Sequence, residues 1–138
     1  MAAGPKRVPG RKEVVPSGEL LQLAIRSGTK EEFRELRREQ RLVGLQQLVE
    51  RLQAIQGRPL YLTVDLDWFD PSVMPGTGTP EPGGYLWADF AQLTDLLQGQ
   101  NLVAADVVEL APGLDASGCS SVLAAKVVRS LLLSLAAH

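Results

Sequence analysis

Two aspartates, Asp65 and Asp67, stand one residue apart at the end of the alternating stretch Leu60–Asp67, LYLTVDLD. On an extended strand, side chains two residues apart leave the same face, roughly 6 to 7 Å from each other. Two carboxylates that close repel, and one rises in pKa unless a cation lies between them. Hard oxygen donors of this kind suit divalent ions such as Mg and Mn. The competing reading is a pair of solvated or capping aspartates in a loop. An EF-hand is excluded, because Phe69 and Asp70 occupy the positions that would need an oxygen ligand and a glycine. A nucleotide-sugar type of D-x-D stays open, although no nucleotide-binding feature accompanies it. A third acid, Glu109, closes the apolar run Leu102–Leu110. A lone glutamate there either pairs with an arginine or serves as counter-ion to a cationic ligand. Asp106, three residues earlier, points to the other face of an ideal strand and reads either as structural or as a support behind the site residues.

These acids need elements to hold them. Leu20–Arg26 reads as a short buried strand broken by Ser27, Gly28 and Thr29, and the charge-dense Lys30–Arg41 as a solvated helix face or loop. Leu45, Leu48, Val49, Leu52 and Ile55 have helical spacing, with Gly57 as the stop. In Leu60–Asp67, Leu60, Leu62, Val64 and Leu66 face one way and Tyr61, Thr63, Asp65 and Asp67 the other. Asp70–Gly84 is rich in Pro and Gly and predicts a helix-free loop. Leu86, Phe90, Leu93 and Leu97 define a second helix ending at Gly99. Leu102–Leu110 suits a parallel strand covered on both faces. Pro112–Gly118 is a loop, and Ser120–Ala137 is a long apolar helix packed on the sheet. The alternation of β and α predicts an α/β fold with a mainly parallel sheet. In such sheets ligands gather beyond the carboxyl ends of the strands, where Asp65, Asp67 and Glu109 fall.

Composition narrows the chemistry. His138 is the only histidine among 138 residues, which leaves a self-contained Ser/His/Asp, Cys/His or His-rich zinc site without its histidines. Fourteen basic against sixteen acidic residues give a net charge of −2, no electrostatic case for nucleic acid or an anionic membrane. No uninterrupted apolar run reaches the roughly 18 residues of a membrane span. A single cysteine, Cys119, cannot form an internal disulfide, so a reducing, cytoplasmic setting is expected. Cys119, near a helix N-terminus that could lower its pKa, reads in preference as a small packed residue; Trp68 and Phe69 flank the aspartates and either wall a pocket or pack, packing being favoured. Residues 1–19 form a basic, Pro- and Gly-containing segment expected to be flexible, and 20–138 the folded portion.

The stretch from Asp65 to Gly84, DLDWFDPSVMPGTGTPEPGG, resembles the S-x-D-x-D-x-x-D-P-x-x-x-P-G-x-G-T-P signature of the ureohydrolases, the arginase and agmatinase family. Asp106–Pro112, DVVELAP, resembles the family's D-x-x-E-x-x-P segment. The likeness covers about residues 20 to 136 and corresponds to the C-terminal half of a family member. It implies a partial three-layer α/β/α sandwich, the arginase-like fold. It further implies a dinuclear manganese centre (nickel in some relatives) whose bridging hydroxide attacks a guanidinium carbon and releases urea. Carried over by position, Asp65 matches the aspartate bridging both metals, Asp67 the aspartate chelating one, and Glu109 the glutamate that pairs with the guanidinium. Gly76, Gly78 and Gly83 would let the loop pass close to the site, and Thr63 replaces the usual serine.

Two departures accompany the likeness. The G-G-D-H and D-A-H-x-D segments that carry the family's other ligands do not occur in this sequence, nor does its catalytic histidine, so no catalytic residue is assigned. The arginase loop that holds the amino acid end of arginine is replaced by Arg26-Ser27-Gly28-Thr29-Lys30, which points toward agmatinase or another guanidino hydrolase. The resemblance therefore implies cleavage of a small guanidino compound, such as agmatine to putrescine and urea, in polyamine biosynthesis. It also implies a homo-oligomer, or a chain completed by an N-terminal half from another polypeptide. The alternatives are an inactive truncated or split fragment and a non-catalytic guanidino-binding module.

Overall fold

The computed structural model describes residues 19–136; residues 1–18 of the expected flexible segment 1–19, the expected helix end at residue 137 and His138 lie outside the described residues. The element order is α1 (Lys30–Arg38), α2 (Leu45–Ala54), β1 (Leu60–Asp65), α3 (Trp87–Leu97), β2 (Leu102–Val108) and α4 (Cys119–Ala136). β1 and β2 pair in parallel, with Leu62 opposite Ala105 and Asp65 opposite Val108, and α3 lies between them in sequence. This is the predicted β-α-β unit, with both carboxyl ends at one rim.

The charged stretch after Thr29 is a helix because its ends are satisfied locally. Thr29 Oγ1 accepts from the Glu32 amide at 3.2 Å, and Glu32 Oε2 accepts from the Thr29 amide at 2.7 Å. That reciprocal pair satisfies two amide donors at the helix start. Ion pairs at i, i+3 (Arg34–Glu31, Arg38–Glu35) line its solvent face. α2 and α3 bury the predicted leucines, and α3 is followed by Gly99 at φ +78°. Leu86 only caps α3 and stays exposed.

Four predicted elements differ. Leu20–Arg26 is not a strand: only Gln22 bridges, in parallel, to Leu42, and Ala24 takes φ +60°, which breaks the extended run. β1 ends at Asp65, because the Asp65 carboxylate accepts the Asp67 amide and winds Leu66–Trp68 into a 3₁₀ turn. β2 ends at Val108 and is not covered on both faces, since Val103 and Val108 are exposed. Cys119 is exposed at the start of α4 rather than packed. Glu19, placed with the N-terminal segment by sequence, pairs with Arg58 at 2.7 Å.

The core joins α2, α3 and one face of α4 to the β1 end. Leu66, Phe69, Met74, Phe90 and Val127 are essentially solvent-free. Trp68 stacks on Tyr85 at 4.5 Å and meets Phe69 edge-on at 5.0 Å, so both aromatics pack as expected. α4 buries Ser120, Ala124, Val127 and Leu131, while Val122, Leu132 and Leu133 on the other side remain exposed. By length and composition α4 is one helix apolar enough to cross a membrane. The core packing of one face is equally the signature of a core helix.

Candidate functional site

The acid pair stands where β1 gives way to the 3₁₀ turn. Its geometry is not that of two side chains on one strand, because Asp67 belongs to the turn. The pair is nonetheless brought together: the Asp67 amide donates to Asp65 Oδ1 at 3.1 Å. Asp65 is half-buried, and burial pushes its carboxyl above the usual carboxylate range. The Asp67 amide opposes that rise, the neighbouring Asp67 charge adds to it, and Arg26 counters in part. A carboxylate pair crowded in this way gains from a cation between the two groups.

The turn is pinned from three sides. Phe69 and Trp68 sink into the core behind it. Residue 85 runs alongside, with the Asp70 amide donating to the Tyr85 carbonyl at 2.9 Å and the Tyr85 amide to the Trp68 carbonyl at 3.0 Å. Arg26 donates to the carbonyls of Asp67, Trp68 and Glu81. Gly84 makes the approach possible: a Cβ there would stand 2.5 Å from the Phe69 carbonyl carbon and the Asp70 nitrogen. Asp70 closes the loop by accepting from the amides of Ser72, Gly83 and Gly84 at 2.9 to 3.2 Å. Ser72, with those glycine amides, holds the Asp70 carboxyl down at about 2.

Glu109 sits just beyond β2, exposed and at φ +67°. A non-glycine residue there is strained, and strain of this kind concentrates at functional sites. None of the ion pairs among the described residues involves it, so the structural salt bridge does not form. Its carboxylate approaches the Gly-rich loop, with Oε2 3.8 Å from where a Gly78 Cβ would be. The Ala111 amide donates to the Gly76 carbonyl at 2.7 Å and ties the end of β2 to that loop. The same glycine amide donates to the buried Ser120 hydroxyl at 2.8 Å. Asp115 in turn accepts from Ser117 and from the Ser120 amide, contacts that hold its carboxyl far below the usual range.

Asp106 is structural, as expected. It accepts from the Tyr61 hydroxyl and from Thr63 Oγ1, the latter at 2.5 Å. Tyr61 is held above its ordinary pKa by that carboxylate, and Asp106 below its own by Thr63 and Tyr61. Of the predicted glycines, a Cβ at Gly76 would stand 2.8 Å from Ser120, whereas Gly83 has open space around it but takes φ +82°. Sequence reasoning missed the contribution of Gly84, the Asp115–Ser120 latch and the hydroxyl of Thr77, which is buried without a partner among the described residues. The run D-A-S-G-C-S before an apolar helix is a capping signal that could have revealed the latch.

The donor set fits a hard divalent ion in kind but is incomplete in number. Asp65 and Asp67 are carboxylates under mutual repulsion, yet no group of three or more His, Cys, Asp and Glu residues among the described residues could hold a metal ion.

Comparison with known proteins gives the same signal across the chain. An agmatinase of Bacillus anthracis is 42% identical over 119 residues, 79% of this chain and 40% of that protein. A guanidinopropionase of Pseudomonas aeruginosa is 40% identical over 89 residues, 64% of this chain and 28% of that protein. The crystallised proclavaminate amidino hydrolase of Streptomyces clavuligerus superposes with a TM-score of 0.68 at 32% identity, covering 87% of this chain and 43% of that one. The chain thus spans less than half the length of the relatives it matches. Residues 3–134 match the family described as the arginase family. A family match over that much of the chain, together with the 42% identity to the agmatinase, shows that the chain belongs to the arginase family.

Proposed function

We propose that this chain forms the C-terminal part of an agmatinase-like hydrolase that cleaves a guanidino compound to urea and an amine. The observation that carries this reading is the placement of Asp65 and Asp67 at the end of β1 beside a strained, exposed Glu109 at the end of its parallel neighbour, with one Gly-rich loop joining both ends. Glu109 would accept the planar guanidinium in a paired, charge-assisted contact. Asp65 and Asp67 would hold part of a dinuclear manganese centre, with nickel as the alternative. When bound, such a centre lowers the pKa of water and stabilises charge in the transition state. The balanced reaction adds water across the guanidino carbon, breaks its bond to the alkyl nitrogen and leaves the proton on the departing amine. Agmatine, giving putrescine, is the first substrate to try; the setting we infer is cytoplasmic, the partners another copy or a complementary chain.

A second reading has its own support. Val128, Leu131, Leu132 and Leu135 of α4 line a largely apolar groove of about 210 Å³ with Ala105, Asp106 and Val107 of β2. Together with the incomplete ligand set, this favours a chain that is inactive alone and is completed by another polypeptide segment. A non-catalytic guanidino-binding module is the weakest alternative.

One experiment separates the three. Mn content and urea release from agmatine are measured on the chain alone and with an added N-terminal half of a relative. About two Mn per subunit and urea release only in the mixture supports the first two readings jointly. Activity of the chain alone removes the second, and no Mn with Asp65 and Asp67 intact in the mixture removes the first. Calorimetry with agmatine and no metal tests the binding module, which millimolar ligand without heat would end.

A further inference from the structure

Arg26 is where three distant pieces of chain meet. Its Nη1 donates to the Ala24 carbonyl at 3.1 Å and to the Trp68 carbonyl at 3.4 Å. Its Nη2 donates to the Asp67 carbonyl at 2.5 Å and to the Glu81 carbonyl at 3.0 Å. Asp67 lies 41 residues away in sequence and Glu81 lies 55 away, so these contacts are tertiary. The side chain is half-buried, and its buried Nε has no partner among the described residues.

The four acceptors are all main-chain carbonyls, so its hydrogen bonds hold backbone, while its charge also partly offsets the crowding at Asp65. Two of them, on Asp67 and Trp68, belong to the turn that presents the Asp67 carboxylate. One belongs to the loop that returns past the turn toward Gly84. A planar fork with five fixed donors can serve carbonyls in several directions at once. A lysine ammonium, a point charge on a flexible stem, cannot reproduce that spread.

We propose that Arg26 is a positioning residue for Asp67: its guanidinium clamps the 3₁₀ turn to the Glu81 loop and to Ala24, and so sets where the Asp67 carboxylate stands beside Asp65. The proposal rests on the metal reading of that pair, and its test keeps the two separable. Partners that orient a ligand from outside the metal's own contacts are commonly worth about 10- to 100-fold in metal affinity.

The wild type, Arg26→Lys and Arg26→Met are compared in two measurements. The first is amide hydrogen exchange without metal. The amides of Asp67, Phe69 and Tyr85 are expected to exchange at least about tenfold faster in both variants, with the α4 amides of Val127 and Leu131 unchanged. The second is Mn²⁺ affinity by electron paramagnetic resonance, on the chain supplemented with the N-terminal half of a relative. Both variants are expected to bind about tenfold or more weakly. Wild-type exchange at the turn in Arg26→Met overturns the proposal. So does an equal acceleration across α4, which would mark a general loss of stability, or full restoration by Arg26→Lys, which would mean that charge alone suffices. Should Arg26→Met fail to fold, Arg26→Lys, which keeps stem and charge, carries the same comparison. Loss of all Mn²⁺ binding in the wild type would remove the metal reading, while the exchange data still decide the role of Arg26.

Discussion

The two parallel strands end at the same rim in opposite ways. The end of β1 is over-determined: a carboxylate-capped turn, two buried aromatics behind it, a guanidinium on its carbonyls and the Gly84 backbone pressed against it. The end of β2 is a single exposed residue in a left-handed conformation, tethered by one main-chain bond two residues on. The contrast matches the roles we propose for the acids. A pair of like charges needs a rigid frame to stay together, whereas a counter-ion for a soluble ligand needs exposure and a fixed direction of approach.

Gly84→Ala attacks the rigid end and carries the largest effect. The added carbon would meet backbone atoms at 2.5 Å, which cannot swing aside as a side chain can. A loss of about 2 to 3 kcal/mol is expected from urea denaturation. Gly78→Ala, whose new carbon would lie 3.8 Å from Glu109 Oε2, should cost far less. Equal losses would erase the distinction between the ends.

Glu109→Asn probes the exposed end and should move stability the other way. Asparagine tolerates the left-handed region better, so a gain of about 0.5 to 1 kcal/mol is expected, alongside loss of guanidino binding. A loss of stability would show that the glutamate is structural.

Acid sharpens the comparison with the smallest effect. Asp70 has a folded pKa of about 2, below the unfolded value of about 3.9. Its contribution is therefore complete above the unfolded value and disappears as pH falls through the folded one. Protection of the Gly83 and Gly84 amides, taken relative to the intrinsic exchange rate at each pH, should fall between about pH 4 and 2, and Asp70→Asn should flatten that limb. An unchanged limb in the variant would assign the acid sensitivity elsewhere.

What the sequence made legible follows from how local each determinant is. The α2 and α3 spacings, the β1 alternation and the Pro/Gly loop are written in near neighbours, and all reappear. The Leu20–Arg26 strand fails because apolar content does not supply a ladder partner; one bridge and a left-handed Ala24 are what remain. The β1 terminus was misplaced because Asp65 hydrogen-bonds its own chain, a local alternative that side-chain alternation cannot register. Cover on both faces of β2 depends on the elements packed there, and Val103 and Val108 have none. Within the site, the acids stand out by their place at the strand ends and by a long signature. Arg26 and Gly84 act across tens of residues, where spacing along the chain carries no signal.

The bond from the Ala111 amide to the Gly76 carbonyl has a consequence for tuning. It makes the main chain a ruler between the aspartates and the glutamate. Exchanging surface side chains would leave that gauge unaltered. Inserting or deleting one residue between Asp70 and Gly76 would re-cut it, so under the proposed guanidino hydrolysis altered substrate length is to be sought in loop-length variants rather than in point substitutions.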